Sequence, residues 1–164
     1  MVSFDMRGTW LETLRRYVVL LAVASLLWEM AQLPLYTVWW QPSWFEIAWA
    51  VAHCSAGDVA IGSASMLAAL LLVGRSEWPA VEPWRVALVA TAIGVVYTLY
   101  SEWLNVEVRG SWAYTPVMPR LPVLGTGLGP VLQWLLLPPA CFAAATRLAS
   151  YRPAAAASPR PDQA

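Results

Sequence analysis

The sequence predicts an all-α fold, an integral membrane four-helix bundle with a long outer loop between helices 3 and 4. Three observations predict it. Of the 164 residues, 59% are hydrophobic and only 12% are charged, about half the charge of an ordinary soluble domain. The apolar residues gather in four blocks, each long enough for the roughly 20 helical residues that cross a bilayer. Between the blocks lie Pro- and Trp-rich connections, "TVWWQPSWFE", "GRSEWPAVEPW" and "VEVRGSWAYTPVMPRLPVLGTG".

The first span runs from about Leu14 to Leu35. Its start, "LRRYVVLLAVAS", has the basic and apolar parts of a secretion signal and an A-x-A at Ala22 to Ala24. The apolar stretch before that site is short and hydrophobicity continues to Leu35, so an uncleaved helix is expected. The second span covers about Ile47 to Val73, the third Arg85 to Leu104 and the fourth Leu128 to Leu148. Pro130 suits the first turn of the fourth helix. Pro138 and Pro139 are expected to interrupt it and free backbone carbonyls. Residues 1–150 read as one transmembrane domain. Residues 151–164, ending "RPAAAASPRPDQA", read as a disordered cytoplasmic tail.

Arginine placement sets the expected orientation. All ten basic residues are arginine, which with the abundant alanine suggests a GC-rich bacterial genome and hence a bacterial inner membrane. Eight of them, Arg7, Arg15, Arg16, Arg75, Arg85, Arg147, Arg152 and Arg160, fall at one end of the predicted bundle, and only Arg109 and Arg120 at the other. By the positive-inside tendency both termini are cytoplasmic. Trp39, Trp40, Trp44, Trp49, Trp103, Trp112 and Trp134 then form an outer aromatic belt, and Trp10, Trp78 and Trp84 an inner one.

The polar residues inside the spans segregate by depth. Glu29 and Gln32, His53 and Asp58, Glu102 and Asn105, and Gln133 all fall in the outer half. Ser25, Glu29, Gln32 and Tyr36 share one helix face, as do Thr98, Glu102 and Asn105 on the third helix. Cys54, Asp58, Gly62 and Ser65 make a small-residue face on the second helix, suited to close helix contact. An ionisable group in a bilayer costs several kcal/mol unless paired, protonated or wet, which makes it a functional hypothesis by default. One shared outer-half pocket is expected. The loop "NVEVRGSWAY" alternates in polarity and predicts an extended lid, with Val106, Val108, Trp112 and Tyr114 facing down. Arg109 or Arg120 is expected to pair with Glu102 or Glu107 and hold that lid.

The expected function is binding of a lipid or of a partner membrane protein, in an accessory or assembly role, with homo-oligomerisation included. Gln32, Asp58, Asn105, Trp112, Tyr114 and Gln133 are the binding candidates. The alternative is a membrane enzyme using Glu29, Glu102 and His53 for acid/base chemistry on a lipid or isoprenoid, because neighbouring carboxylates in a low dielectric differ in proton affinity. A metal held by Glu29, His53, Asp58 and Glu102 ranks below both, since no local ligand motif supports it, and no cofactor is expected. Ion or proton transport is disfavoured, because a relay needs polar groups at all depths. Zero net charge gives no reason to expect a nucleic-acid partner. Cys54 and Cys141 lie at different depths and read as packed thiols. The chain has no GxGxxG, Walker loop, HExxH, CxxC or GxSxG, and its single histidine excludes bis-histidine haem within one chain.

Overall fold

The computed structural model describes residues 6–40 and 43–150. The expected disordered tail, residues 151–164, lies outside the described residues. Four helices carry the fold: α1 (Met6–Gln32), α2 (Trp44–Val73), α3 (Pro83–Glu102) and α4 (Leu128–Ser150). Each is long and apolar enough to cross a membrane. Each packs on its neighbour in sequence, and α1 closes the ring on α4. The all-α four-helix bundle is as the sequence predicts.

Local chemistry explains most of the boundaries. After α1 the chain tightens into two short 3₁₀ stretches, Leu33–Leu35 and Thr37–Trp40, the first with Pro34 near its start. Ser43 caps α2 by accepting from the Glu46 N–H at 3.4 Å. Ser and Glu three residues apart are the pattern of a capping box. Pro83 opens α3, where its missing N–H costs nothing. Glu82 before it sits at φ +46°, a left-handed conformation uncommon for a residue other than glycine. Glu82 in return takes Arg75 at 3.4 Å and Arg85 at 3.2 Å. This tightens the α2–α3 connection.

The third helix runs past its predicted end. Residues Trp103–Val108 continue it as a π-helical turn, so "NVEV" is helical and not extended as its polarity pattern suggested. Val108 is correspondingly exposed rather than turned down. The turn closes with the Arg109 N–H on the Leu104 carbonyl and the Ser111 N–H on the Asn105 carbonyl, both at 2.8 Å. The second bond spans six residues around Gly110 at φ +62°. Gly110 adopts this left-handed conformation without steric penalty and so ends the helix. Pro138 and Pro139 do not interrupt α4, which continues through both. Each proline still removes one N–H from the ladder.

The two ends of the bundle differ in chemistry. Toward the end that carries the α2–α3 connection the core is apolar, built from Tyr17, Leu21, Met66, Val86, Ala90, Phe142 and Ala145 among others. Trp78 belongs to this core and stacks on Phe142 with ring centroids 5.9 Å apart. Trp134 is also buried, against Gly94 of α3. These two tryptophans are core residues rather than members of the expected interfacial belts. Trp40, Trp44, Trp49 and Trp84 are exposed on the surface, as belt residues would be.

A Cβ on Gly94 would overlap the Trp134 indole. Overpacked sites cost about 1–3 kcal/mol. Gly94→Leu is therefore expected to lower the melting temperature in detergent by several degrees, while Val96→Leu on the exposed face of the same helix leaves it unchanged. Equal melting curves for the two variants would show that α3 and α4 do not need this close approach.

Candidate functional site

At the opposite end, side chains from all four helices meet. The face Ser25, Glu29, Gln32 and Tyr36 of α1 is buried, as its helical spacing predicts. Gln32 is the hub. It donates from Nε2 to Glu29 Oε1 at 2.8 Å and to Gln133 Oε1 of α4 at 3.2 Å. Its own Oε1 accepts from the Trp28 indole at 3.1 Å. Gln133 passes the chain on, donating from Nε2 to Asp58 Oδ2 of α2 at 2.5 Å. Ser25 and the Glu29 carboxyl also face Asp58. Two carboxyl groups are thus held face to face and joined by two carboxamides across three helices.

A second cluster sits above the first. Glu102, at the end of α3, is buried and accepts at Oε2 from the hydroxyls of Tyr36, at 3.5 Å, and Tyr114. The two tyrosine rings pack at 5.5 Å between centroids. They are brought together by an antiparallel bridge between the α1–α2 connection and the α3–α4 loop. Thr37 N–H bonds Ala113 O, and Thr115 N–H bonds Leu35 O, both at 2.9 Å. The Trp112 indole N–H also faces Glu102 but lies outside hydrogen-bonding geometry, and it has no other partner. Burial pushes both phenols upward from the ordinary tyrosine value; the bond to Glu102 adds to this for Tyr114, and the Glu102 charge adds to it for Tyr36.

The expected arginine clasp is absent. The ion pairs among the described residues are Arg16–Glu12, Arg75–Glu82 and Arg85–Glu82. Arg120 instead lies over the Tyr114 ring, 4.9 Å from its centroid, and Arg109 lines the cleft. Phenols displace guanidinium here because the loop folds Tyr114 inward and leaves both arginines exposed. The lid is held by Tyr114, Thr115 and buried Met118.

The two clusters border a cleft of about 750 Å³ between α1, α2 and the π turn. That is within the usual size of small-molecule sites, roughly 300–1,000 Å³. Glu29, Glu102, Tyr36 and Trp112 form its polar and aromatic side; Leu33, Val38, Phe45 and Ala50 supply apolar lining. Asp58 and Gln133 are not in the cleft lining and connect to it through Glu29.

The sequence candidates divide accordingly. Glu29, Gln32, Asp58 and Gln133 form one network, and Glu102, Tyr114 and Trp112 the other. Asn105 lines the cleft, but its amide donates to the Ser101 carbonyl at 2.9 Å and its hydroxyl at 3.3 Å, so it is spent on its own helix. His53 is exposed at the rim and stacked on Trp49, with centroids 5.7 Å apart, and bonds no carboxylate among the described residues. The described residues contain no group of three His, Cys, Asp or Glu side chains gathered as for a metal. The weakly held set Glu29, His53, Asp58 and Glu102 is therefore not assembled, because His53 points to the rim. Trp28 and Phe45 take part in the network or the cleft without having been singled out, and Trp49 and Cys54, read from the sequence as belt and packing residues, also line the cleft. Trp28 was legible one turn before Gln32; the cleft wall was not, because aromatics at a helix start read as interfacial belt.

Comparison with protein-family models, with curated proteins and with solved structures gave no match.

The Tyr36 and Tyr114 phenols are predicted to stay protonated well above the ordinary value of about 10. An alkaline absorbance titration checks this. Tyr36→Phe and Tyr114→Phe should each remove no ionisation step below pH 11, and a lost step there would place that hydroxyl in water. Tyr114→Phe should also raise protease cleavage within 109–127, since Glu102 loses a charge-assisted bond worth about 1.5–3 kcal/mol.

Proposed function

We propose that this chain is a multi-pass membrane protein that binds an amphipathic, lipid-like ligand in the cleft over Glu29 and Glu102. One observation carries the reading: two buried carboxyl groups border a ligand-sized cleft, and no cation pairs with either among the described residues. A structural ion pair would keep both partners. A bundle needing only helix contact would close the space with side chains. The acidic lining of Glu29, Glu46 and Glu102 is opposed by Arg109 alone, and Phe45, Trp49 and Trp112 offer ring faces. A head group that donates hydrogen bonds, above all a cationic nitrogen, matches both features. The apolar lining suits an acyl or isoprenoid tail.

Acid/base chemistry on such a ligand is the second reading. It is favoured by the contact of Glu29 with Asp58. Like charges at contact distance are not both carried without a shared proton or a cation, so this pair is suited to store and return one. The carboxylate Glu102, with two phenols donating to one oxygen, leaves the other oxygen for a ligand.

Lipids extracted from the protein purified in mild detergent test both readings. An amphiphile enriched over bulk lipid is expected, reduced more than twofold in Ala50→Trp, which fills the cleft, and in the Glu102→Gln and Glu29→Gln variants. Equal lipid profiles for wild type and Ala50→Trp would remove the binding reading. A ligand recovered chemically altered by wild type and unaltered by Glu29→Gln would establish the catalytic one.

The orientation proposed is that of both termini in the cytoplasm of a bacterial inner membrane, supported by the eight-to-two arginine distribution. In a background of Cys54→Ala and Cys141→Ala, a Trp40→Cys thiol should react with an impermeant reagent applied from the periplasmic side. Reaction only from the cytoplasmic side would invert the topology.

A further inference from the structure

The acidic cleft occupies one end of the bundle. The opposite end carries a separate concavity of about 940 Å³, a groove over α1 beside Leu148 of α4. Its upper part carries Leu11 and the charged side chains of Glu12, Arg15 and Arg16, one positive charge in excess; its lower part is apolar, with Val19, Leu20 and Leu148. Four helical residues separate Arg15 from Val19, about 6 Å along the axis at 1.5 Å per residue. The groove thus passes from cation to hydrocarbon over the depth at which a phospholipid passes from phosphate to acyl chain.

One positive charge in this groove has no acidic partner among the described residues. On the α2–α3 side of the same end, Arg75 and Arg85 share Glu82, and Glu77 lies in the same connection, so that side balances itself. On the α1–α4 side, Glu12 takes Arg16. Arg15 is exposed and has no acidic partner among the described residues.

We infer that the α1–α4 groove is a binding site for a phospholipid with an anionic head group, its phosphate on Arg15 and one acyl chain along Val19, Leu20 and Leu148. The site is independent of the ligand in the acidic cleft, which would repel an anionic head.

Native mass spectrometry of the full-length protein, titrated with phosphatidylglycerol and phosphatidylcholine of the same chains, tests the inference. Phosphatidylglycerol is expected to bind about fivefold more tightly, and Arg15→Gln to remove that preference, as one arginine near an anionic head warrants. Arg75→Gln should keep the preference, and Val19→Trp, which fills the apolar part, should weaken phosphatidylglycerol binding at an unchanged melting temperature. Arg15 is exposed, so a melting curve confirms that its variant folds. Equal binding of the two lipids, or equal losses in Arg15→Gln and Arg75→Gln, would overturn the site in favour of a diffuse surface charge. Competition by millimolar glycerol phosphate would also overturn it, by showing a site for the free anion. Persistence of the preference in Glu29→Gln separates this result from the fate of the cleft.

Discussion

The bundle depends on the ability of a carboxamide to donate and accept at once. Glu29 and Asp58 sit on different helices and face each other in a region where water does not offset charge. Neither could be placed there by an apolar neighbour without a large desolvation cost. Gln32 and Gln133 supply donors to both carboxyls, and each gives its remaining capacity to another member, Gln32 to the Trp28 indole and Gln133 to Gln32. The result fixes α1, α2 and α4 relative to one another at this end. A half-satisfied network would be worse than an apolar core, which is why the two glutamines matter as much as the carboxyls.

The second cluster follows from this first constraint. With α1 held in place, Tyr36 emerges just beyond it and meets Glu102 at the end of α3. The π turn then decides where the chain goes. One extra residue per turn carries α3 beyond Glu102, and Gly110 reverses the backbone so that Tyr114 returns over the site. The loop is therefore anchored by a phenol and by backbone pairing with Leu35 and Thr37 rather than by an arginine. Both arginines stay in the solvent-facing layer, where charge is cheap to keep.

The contrast between the two ends gives the molecule its functional polarity. One half is held by an apolar core that includes Trp78, Phe142, Tyr17 and Met66. The other is bound by polar groups that hold the helices together while a cleft remains between them. For helices long and apolar enough to lie in lipid, close packing and hydrogen bonds supply the association. Here the two are separated along the bundle, and the hydrogen-bonded end borders the acidic cleft.

The four spans, the polar half and the shared faces of α1 and α3 were legible because helical periodicity and bilayer length act within a single stretch of chain. The alternating stretch 105–108 misled because polarity also alternates briefly along a helix, and a π turn has no local signature in composition. Trp78 and Trp134 looked interfacial from their positions near the span ends. Only packing against Phe142 and Gly94 decided that they are buried. The sequence by itself determined which polar groups share a helix face and which lie toward the same end of the bundle. The tertiary structure alone decided who partners whom: that Gln133 reaches Asp58, that Tyr114 rather than Arg109 reaches Glu102, and that His53 turns to the rim. The reason is physical. Depth follows from counting residues along one helix, whereas pairing depends on the rotation of each helix about its axis, and that is set by contacts between residues as far apart as Gln32 and Gln133.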